Sequence, residues 1–585
     1  MANKRNGKQK GKRSGKPNGM LVYALLLVVA FSFRAAVARF YATDAPDDGR
    51  VYAQIARNVL EQHVYSHESE PPYLPTLIRL PGYPLFLAGV YSIFGHGNNT
   101  AVRFVQALID TASCALIALV AFYWEPDKER KRHSSIAALA LASVCPFTTI
   151  YVATILTETL TVFFAVAMCL TATLALRATA QSGARKNAIW LWVLTGLIAG
   201  LAVLARPDSG LFALAIGITL VVTALLRSTV VKLSRKREEV LSRFARVSYL
   251  GAVFSLAFCL VLAPWTIRNF RMFHLFQPLA PAHAEMPGEF VARGYLTWVR
   301  TWIDDSLYVG PALWAMDTST IKLKDLPDYA FDSAEEKQRV GILLDKYNQP
   351  AEEQELFAAK PGTQSAPTPD QQDEGTEPAN PTNEPSPPEE SDQAGNTEGD
   401  DEDEDTDEGD DNAPSDQAVD QPVEMTPEID AGFAQIARER IARHPFRYYV
   451  LLPLKRARSL WFDTHSQYYP FEGELLPLSD LDYDIHQQYW LPLFAGLTFI
   501  YSLLGIAGGW FLWQTRDFIA RQWLLLASLM IFLRLGFFAT LENPEPRYVV
   551  EIFPFLSILG GIAVVRLAAI LRNGKQTPAM QNRER

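Results

Sequence analysis

Ten separated apolar runs, each long enough to cross a bilayer, constrain this chain more than any other feature. A stretch of roughly 18 or more apolar residues reads as a transmembrane helix, because in hydrocarbon each backbone amide must be satisfied within its own segment. The runs fall at 20–42, 101–124, 134–152, 157–177, 188–205, 209–226, 247–267, 488–513, 521–541 and 548–571. The expected fold is an all-α polytopic membrane bundle of about ten spans. A long basic leader, "MANKRNGKQKGKRSGKPNG", precedes the first run, which has no clean small-x-small cleavage site. That run is read as a retained anchor.

Lys and Arg concentrate in cytoplasmic loops. With the N-terminus inside, the inner segments become "EPDKERKRH", "RATAQSGARK", "RSTVVKLSRKREEVLSRFAR", "QTRDFIARQ" and "RNGKQTPAMQNRER", each richer in basic than in acidic residues. The alternation holds through every span and places both termini in the cytoplasm. Residues 1–19 and 572–585 are then cytoplasmic tails, and 20–360 is the membrane core with a first outer loop at 43–100. The rest of the second outer loop and the last three spans occupy 431–571. Within the outer loops, "GYPLFLAGVYSIFG" at 82–95 is too short to span and is read as an interfacial or re-entrant helix. "FRYYVLLPLKRARSLWF" at 446–462 carries four charges in an apolar setting and is read as an amphipathic surface helix.

The net charge of −10 misdescribes this core. The stretch 361–430 holds 24 acidic residues and neither Lys nor Arg; without it the chain carries 54 basic and 40 acidic residues, a net of +14. Such a Pro-rich, one-signed insertion cannot bury enough apolar surface to order itself and is expected to be disordered. The four cysteines, Cys114, Cys145, Cys169 and Cys259, lie in apolar runs without ligand spacing and read as small buried residues. Membrane lipids are the expected surroundings, with no nucleic-acid partner.

With the sides assigned, charged residues from distant parts of the chain gather at the outer ends of the spans. Asp44, Asp47 and Asp48 follow the first span, and Arg79 precedes a Pro-Gly-Tyr-Pro turn. Glu158, Arg206, Asp208, Arg268, Asn269, Glu545, Arg547 and Tyr548 lie at the same level. Ionisable groups at such positions are functional candidates. Asp110 and Arg534 lie deeper and are expected to pair across helices. His63 and His67 have the i, i+4 spacing of a helical metal pair, although nothing around them supplies further ligands.

Arginines at the bilayer edge suit a lipid phosphate, which guanidinium binds bidentately without ever losing its charge. If the lipid is a polyprenyl-phosphate sugar, the departing phosphate needs cationic stabilisation and no general acid. The acceptor hydroxyl, a poor nucleophile, needs a base, so one positioned Asp beside arginines meets the minimum demand. Attack opposite the phosphate inverts the anomeric centre.

Seven segments in order, "DDGRVYAQIARNVLEQHVYS", "RLPGYPLFLAGVYSIFG", "ILTETL", "LARPDSGLFAL", "APWTIRNF", "IARHPFRYYVLLPLKRARSLW" and "PRYVVEIFPFLSILGGIA", resemble the bacterial GT-C glycosyltransferases of the protein-mannosyltransferase and lipid A aminoarabinose transferase group. The resemblance spans nearly the whole chain except the acidic tract and the extreme termini. It implies a GT-C-type multi-span bundle with amphipathic outer-loop helices. It also implies a catalytic Asp four residues before a Tyr, which Asp48 and Tyr52 match, with Asp47 as the alternate base. By the same resemblance Glu158 is a second outer acid that orients the acceptor or holds a divalent cation. Arg79, Arg268, Arg547 and Arg206 become donor phosphate binders, and Tyr52, Tyr83 and Tyr548 line the sugar and acceptor. The second acid of the first-loop pair is Asp where Glu is common, and the acidic tract interrupts a loop that in relatives shapes the acceptor side. The reading is an inverting glycosyltransferase in a bacterial inner membrane, acting on the extracytoplasmic side on a lipid, glycan or protein acceptor. A lipid or glycan flippase, and a glycan ligase or polymerase of related architecture, are the competing readings.

Overall fold

The computed structural model describes residues 19–42, 47–181, 185–230, 237–349, 423–463, 465, 469 and 485–581. Among these residues there is no strand. The membrane-spanning helices are α1 (Gly19–Phe40), α4 (Asn99–Trp124), α7 (Glu158–Ala180), α8 (Arg185–Ala205), α9 (Gly210–Val230), α10 (Arg237–Phe273), α15 (Ile485–Gln514), α16 (Phe518–Ala539) and α17 (Phe553–Gln581). Between them lie α2 (Asp47–Glu61), α3 (Gly82–Phe94), α5 (Lys131–Ser143) and the single turn α6 (Pro146–Thr149). The second long connection forms α11 (Arg293–Arg300), α12 (Ala334–Tyr347), α13 (Pro427–Arg443) and α14 (Leu452–Phe462). Nine described helices are long and apolar enough to cross a membrane, and the pair 131–143 and 146–152, bent by 52°, makes a tenth. The expected span count therefore holds, with the third span broken rather than continuous.

Proline explains the break. Pro146 has no amide hydrogen, and Cys145 before it is extended at φ −69°, ψ 112°. The carbonyls freed at the end of α5 are taken by Arg34 of α1, which donates to Ala142 at 3.1 Å and to Ser143 at 3.2 Å. The same guanidinium pairs with Asp110 of α4 at 2.6 Å, with both side chains buried. The expected Asp110–Arg534 pair is thus corrected, because each deep charge has a nearer opposite charge. Arg34, on the first span, satisfies Asp110, while Arg534 binds Asp208 and Glu551.

Small residues let the helix backbones approach. A Cβ on Gly508 of α15 would meet the Leu559 carbonyl oxygen of α17 at 2.0 Å, whereas one on Gly536 of α16 would meet nothing within 4 Å. In lipid such contact replaces the hydrophobic drive between helices. Gly508→Ala is expected to cost about 1–3 kcal/mol through overpacking, read as a lower unfolding temperature of the purified protein. Gly536→Ala, the control, should leave that temperature unchanged.

Outside the bundle, α11, α12 and α13 enclose a core of their own, with Tyr295, Trp298, Trp302, Val340, Leu344 and Phe433 fully or almost fully buried. Ser333 and Thr426 cap α12 and α13 through Glu336 N at 3.1 Å and Ile429 N at 3.4 Å. Most of the acidic insertion lies outside the described residues. Its expected end at 430 falls inside this folded unit: Val423, Met425 and Ile429 are buried in the same core, and α13 has begun by Pro427. These last residues carry apolar side chains and a Thr-Pro-Glu helix start, unlike the acidic run before them.

The 446–462 segment departs from a simple amphipathic helix. Phe446, Tyr449 and Leu454 are exposed, while Arg456 is buried and donates to the Ile303 carbonyl at 2.7 Å. Its charges pin the outer unit to the bundle, and α14 packs on α16 and on the turn 546–552.

Candidate active site

Element order brings the start of α2, the loop before α3 and the turn before α17 to one end of the bundle. Asp48, on the first turn of α2, faces two arginines. Arg79 Nη2 lies 2.8 Å from Asp48 Oδ1, and Arg547 Nη2 lies 3.5 Å from Oδ2. The three groups come from positions up to 499 residues apart in sequence. Their side chains stay 35%, 24% and 13% exposed for Asp48, Arg79 and Arg547, so the cluster is open at one side. Arg79 Nε is buried and has no hydrogen-bond acceptor among the described residues. Arg547 Nε also pairs with Glu545 at 2.8 Å, which aims its terminal nitrogens.

Tyr52, one turn after Asp48, sits edge-on to Tyr83 at 5.2 Å with the Arg79 guanidinium 6.0 Å above its ring. Burial, reinforced by the Asp48 charge, pushes its phenol up to about 12. Tyr52 is therefore a protonated hydrogen-bonding group at neutral pH and not a second base. Tyr83, expected to line the sugar, is instead fully buried and donates to Gln106 Oε1 at 2.8 Å. It props Tyr52 from behind. Gln106 was not singled out by sequence, since a lone Gln in a span carries no signal.

A second charge network lies behind the first. Arg206 pairs with Glu158 at 2.7 Å, Asp208 at 3.0 Å and Glu551 at 3.7 Å. Arg534 pairs with Asp208 at 3.0 Å and Glu551 at 2.9 Å. All five side chains are buried. Tyr548 joins the two networks: Arg206 and Arg547 each lie 5.2 Å from its ring centre, and Phe538 stacks on it at 4.8 Å. Glu551 escaped the sequence reading, although its position four residues after Arg547 on a helical turn was a usable signal.

Several expected roles are corrected by this geometry. Arg206 is enclosed by three carboxylates and is not open to a phosphate. Glu158 is neutralised by Arg206, and no group of three His, Cys, Asp or Glu among the described residues could hold a metal ion. Arg268 stands apart from Asp48: it donates to the Thr76 carbonyl at 2.7 Å and packs against the rings of Tyr65, Trp265 and Phe273. Tyr65 in turn donates to the Arg79 carbonyl at 3.0 Å, so Arg268 buttresses the strand of chain that carries Arg79. The His63–His67 spacing is not helical, because α2 ends at Glu61 and His63 has φ 56°. Asp44 lies outside the described residues; of Asp47 only the backbone, at the first position of α2, is described.

Residues 75–265, about a third of the chain, match the family described as dolichyl-phosphate-mannose-protein mannosyltransferase. The matched stretch includes Arg79, Glu158 and Arg206, but neither Asp48 nor Arg547. Curated proteins include no match. Among solved structures the chain is similar to the archaeal oligosaccharyltransferase AglB from Archaeoglobus fulgidus, in complex with an inhibitory peptide and a dolichol-phosphate. That similarity has 12% identity and a TM-score of 0.45 and covers 96% of this chain and 51% of that one. ArnT from Cupriavidus metallidurans bound to undecaprenyl phosphate is similar at 13% identity and a TM-score of 0.33, covering 94% of this chain and 78% of that one. The chain thus spans about half the length of the oligosaccharyltransferase.

Proposed function

We propose that the chain is a membrane glycosyltransferase of the GT-C superfamily that transfers a sugar from a polyprenyl-phosphate donor to an acceptor hydroxyl, with Asp48 as the general base. The observation that carries this reading is the placement of one carboxylate between two guanidinium groups at the open end of a membrane bundle. Arg79 and Arg547 are pre-set donors for a phosphate. When it binds, its oxygens take up guanidinium hydrogens and Asp48 is released to accept the acceptor's proton. The C–O bond to the phosphate breaks as the acceptor oxygen bonds to the anomeric carbon from the opposite face, which gives inversion. The electron pair leaves on the phosphate, where two fixed cations stabilise it without reorganisation. Tyr52 and Tyr548 supply hydroxyls and ring faces beside the reacting sugar.

The extracytoplasmic side is favoured by charge. The site lies at the end where α1 meets α2, and the opposite end carries Lys128, Arg130, Lys131 and Arg132 at the turn into α5. A bacterial plasma membrane and cytoplasmic termini belong to the same proposal. Arg79→Gln is expected to weaken donor use by about tenfold or more, read as a raised donor KM, since a charge-assisted bond to phosphate is lost. The reading itself is tested with purified protein in liposomes given radiolabelled polyprenyl-phosphate sugars and an envelope extract as acceptor. Label should leave the lipid. Label that stays on the lipid and crosses the bilayer would make the protein a flippase.

A further inference from the structure

We propose that the outer unit carries a binding site for the anionic headgroup of a membrane lipid, on the stretch 446–455 that leads into α14. Its polar part is a cavity of about 320 Å³, bordered by Asp304, Tyr329, Asp332 and Leu451 and by the cations Arg447 and Lys455. Both cationic side chains are accessible, Arg447 being 30% and Lys455 50% exposed. α14 packs on the span α16 and on the turn 546–552, so the site lies against the bundle at the end that holds Asp48.

The charge around the cavity is not balanced. Asp332 is shared by three arginines, Arg447 at 2.9 Å, Arg443 at 3.2 Å and Arg440 at 3.3 Å. Arg440 and Arg443 also share Glu336, while Lys455 pairs with Asp304 at 2.7 Å. Four cations thus face three carboxylates. Arg456 adds a fifth cation: it donates to the carbonyls of Ile303 and Arg300 and forms no ion pair among the described residues. Donors are left over as well. Arg447 gives one hydrogen to Asp332 and one to the Tyr329 carbonyl at 3.1 Å, which leaves three of a guanidinium's five. Lys455 gives one of its three to Asp304. An oxyanion in the cavity meets surplus positive charge and spare N–H groups, and a guanidinium can take a phosphate bidentately.

The adjoining face identifies what carries the anion. Arg447, Leu451 and Lys455 follow one another at intervals of four on the cavity side. One residue before each of them stand Phe446, Val450 and Leu454, which are 70%, 39% and 63% exposed. At helical spacing the two sets form adjacent stripes, one bordering the cavity and bearing its cations, the other apolar. A soluble anion would use the first stripe alone and leave the second in water. A lipid uses both, with its phosphate in the cavity and an acyl chain along Phe446, Val450 and Leu454. Basic clusters beside an apolar, membrane-facing surface recognise anionic lipids in this way. The donor phosphate belongs at Arg79 and Arg547, which do not line this cavity.

The test titrates the full chain in detergent with dioleoyl-phosphatidylglycerol or dioleoyl-phosphatidylcholine, and counts bound lipid by native mass spectrometry. Phosphatidylglycerol should bind about tenfold more tightly than phosphatidylcholine. Lys455→Gln should weaken it about tenfold and Leu454→Ser about threefold; both side chains are half-exposed or more, so the fold persists. Lys346→Gln, an exposed cation of α12 that does not line the cavity, is the control and should bind like the wild type. Glycerol 3-phosphate, which has the phosphate without the chains, should displace the lipid only at concentrations at least about a hundredfold higher. Equal binding of the two lipids, or equal binding of phosphatidylglycerol to wild type and both variants, overturns the site. Displacement by glycerol 3-phosphate at lipid-like concentrations makes it a site for a soluble anion and overturns the lipid assignment. Displacement by an equal amount of undecaprenyl phosphate makes the cavity part of the donor site and overturns its separateness. Binding is read without transfer, so failure of the glycosyltransferase reading leaves each of these outcomes unchanged.

Discussion

Asp48→Asn is expected to lower the transfer rate by about 10²–10⁴-fold, the usual share of a general base. The substituted amide is nearly isosteric and can still accept from Arg79 through its oxygen, giving up only the longer 3.5 Å contact to Arg547, so the fold and the loop geometry should persist. It cannot accept a proton from the acceptor hydroxyl. Donor affinity should be kept or should rise, because the two arginines no longer divide their hydrogens between an anionic side chain and the phosphate. The informative measurement is therefore a pair: single-turnover transfer from the donor identified in liposomes, and donor affinity by equilibrium binding. Loss of both would show Asp48 to be a structural anchor for the arginines. A mutant retaining more than a tenth of the wild-type rate would move the base elsewhere.

Arg534→Met is expected to destabilise the protein by about 3–5 kcal/mol, the cost of removing one partner from a buried ion network. Arg534 is fully buried in the bundle and donates to the Tyr548 carbonyl at 2.6 Å as well as pairing with Asp208 and Glu551. Methionine of similar length fills the space but leaves Arg206 alone against three carboxylates. The unfolding temperature and the yield of folded protein in detergent should both fall. Glu551→Gln in the same chain should recover part of the loss by removing one uncompensated charge. If the single variant unfolds like the wild type, the network is not a stabilising element. Because Tyr548 connects it to Arg547, residual folded Arg534→Met should also show a raised donor KM.

How far the amino-acid sequence reaches is clearest at particular residues. Asp48, Arg79 and Arg547 were legible as candidates because charges are rare at the ends of apolar runs, and the alternation of sides puts all three at one end. Arg206 and Glu158 carried the same signal and have a different role. Sequence position places a charge at a depth in the bundle but does not name its partner, and an arginine closed in by carboxylates reads like one open to a phosphate. The outer unit was less legible still. Its core helices lie on both sides of the acidic insertion, so α12 and α13 look unrelated until they are seen sharing Phe433, Val340 and Leu344.

The sequence by itself determined the number of spans, their order and the end at which the charged groups collect, because the hydrophobic thickness of a bilayer acts on each segment separately. Only the tertiary structure decided which cations face Asp48, which carboxylates neutralise Arg206 and Arg534, and that Arg34 rather than Arg534 satisfies Asp110. Those outcomes depend on distances of a few ångströms between residues hundreds apart in the chain, where charge pairing and burial are settled by helix packing.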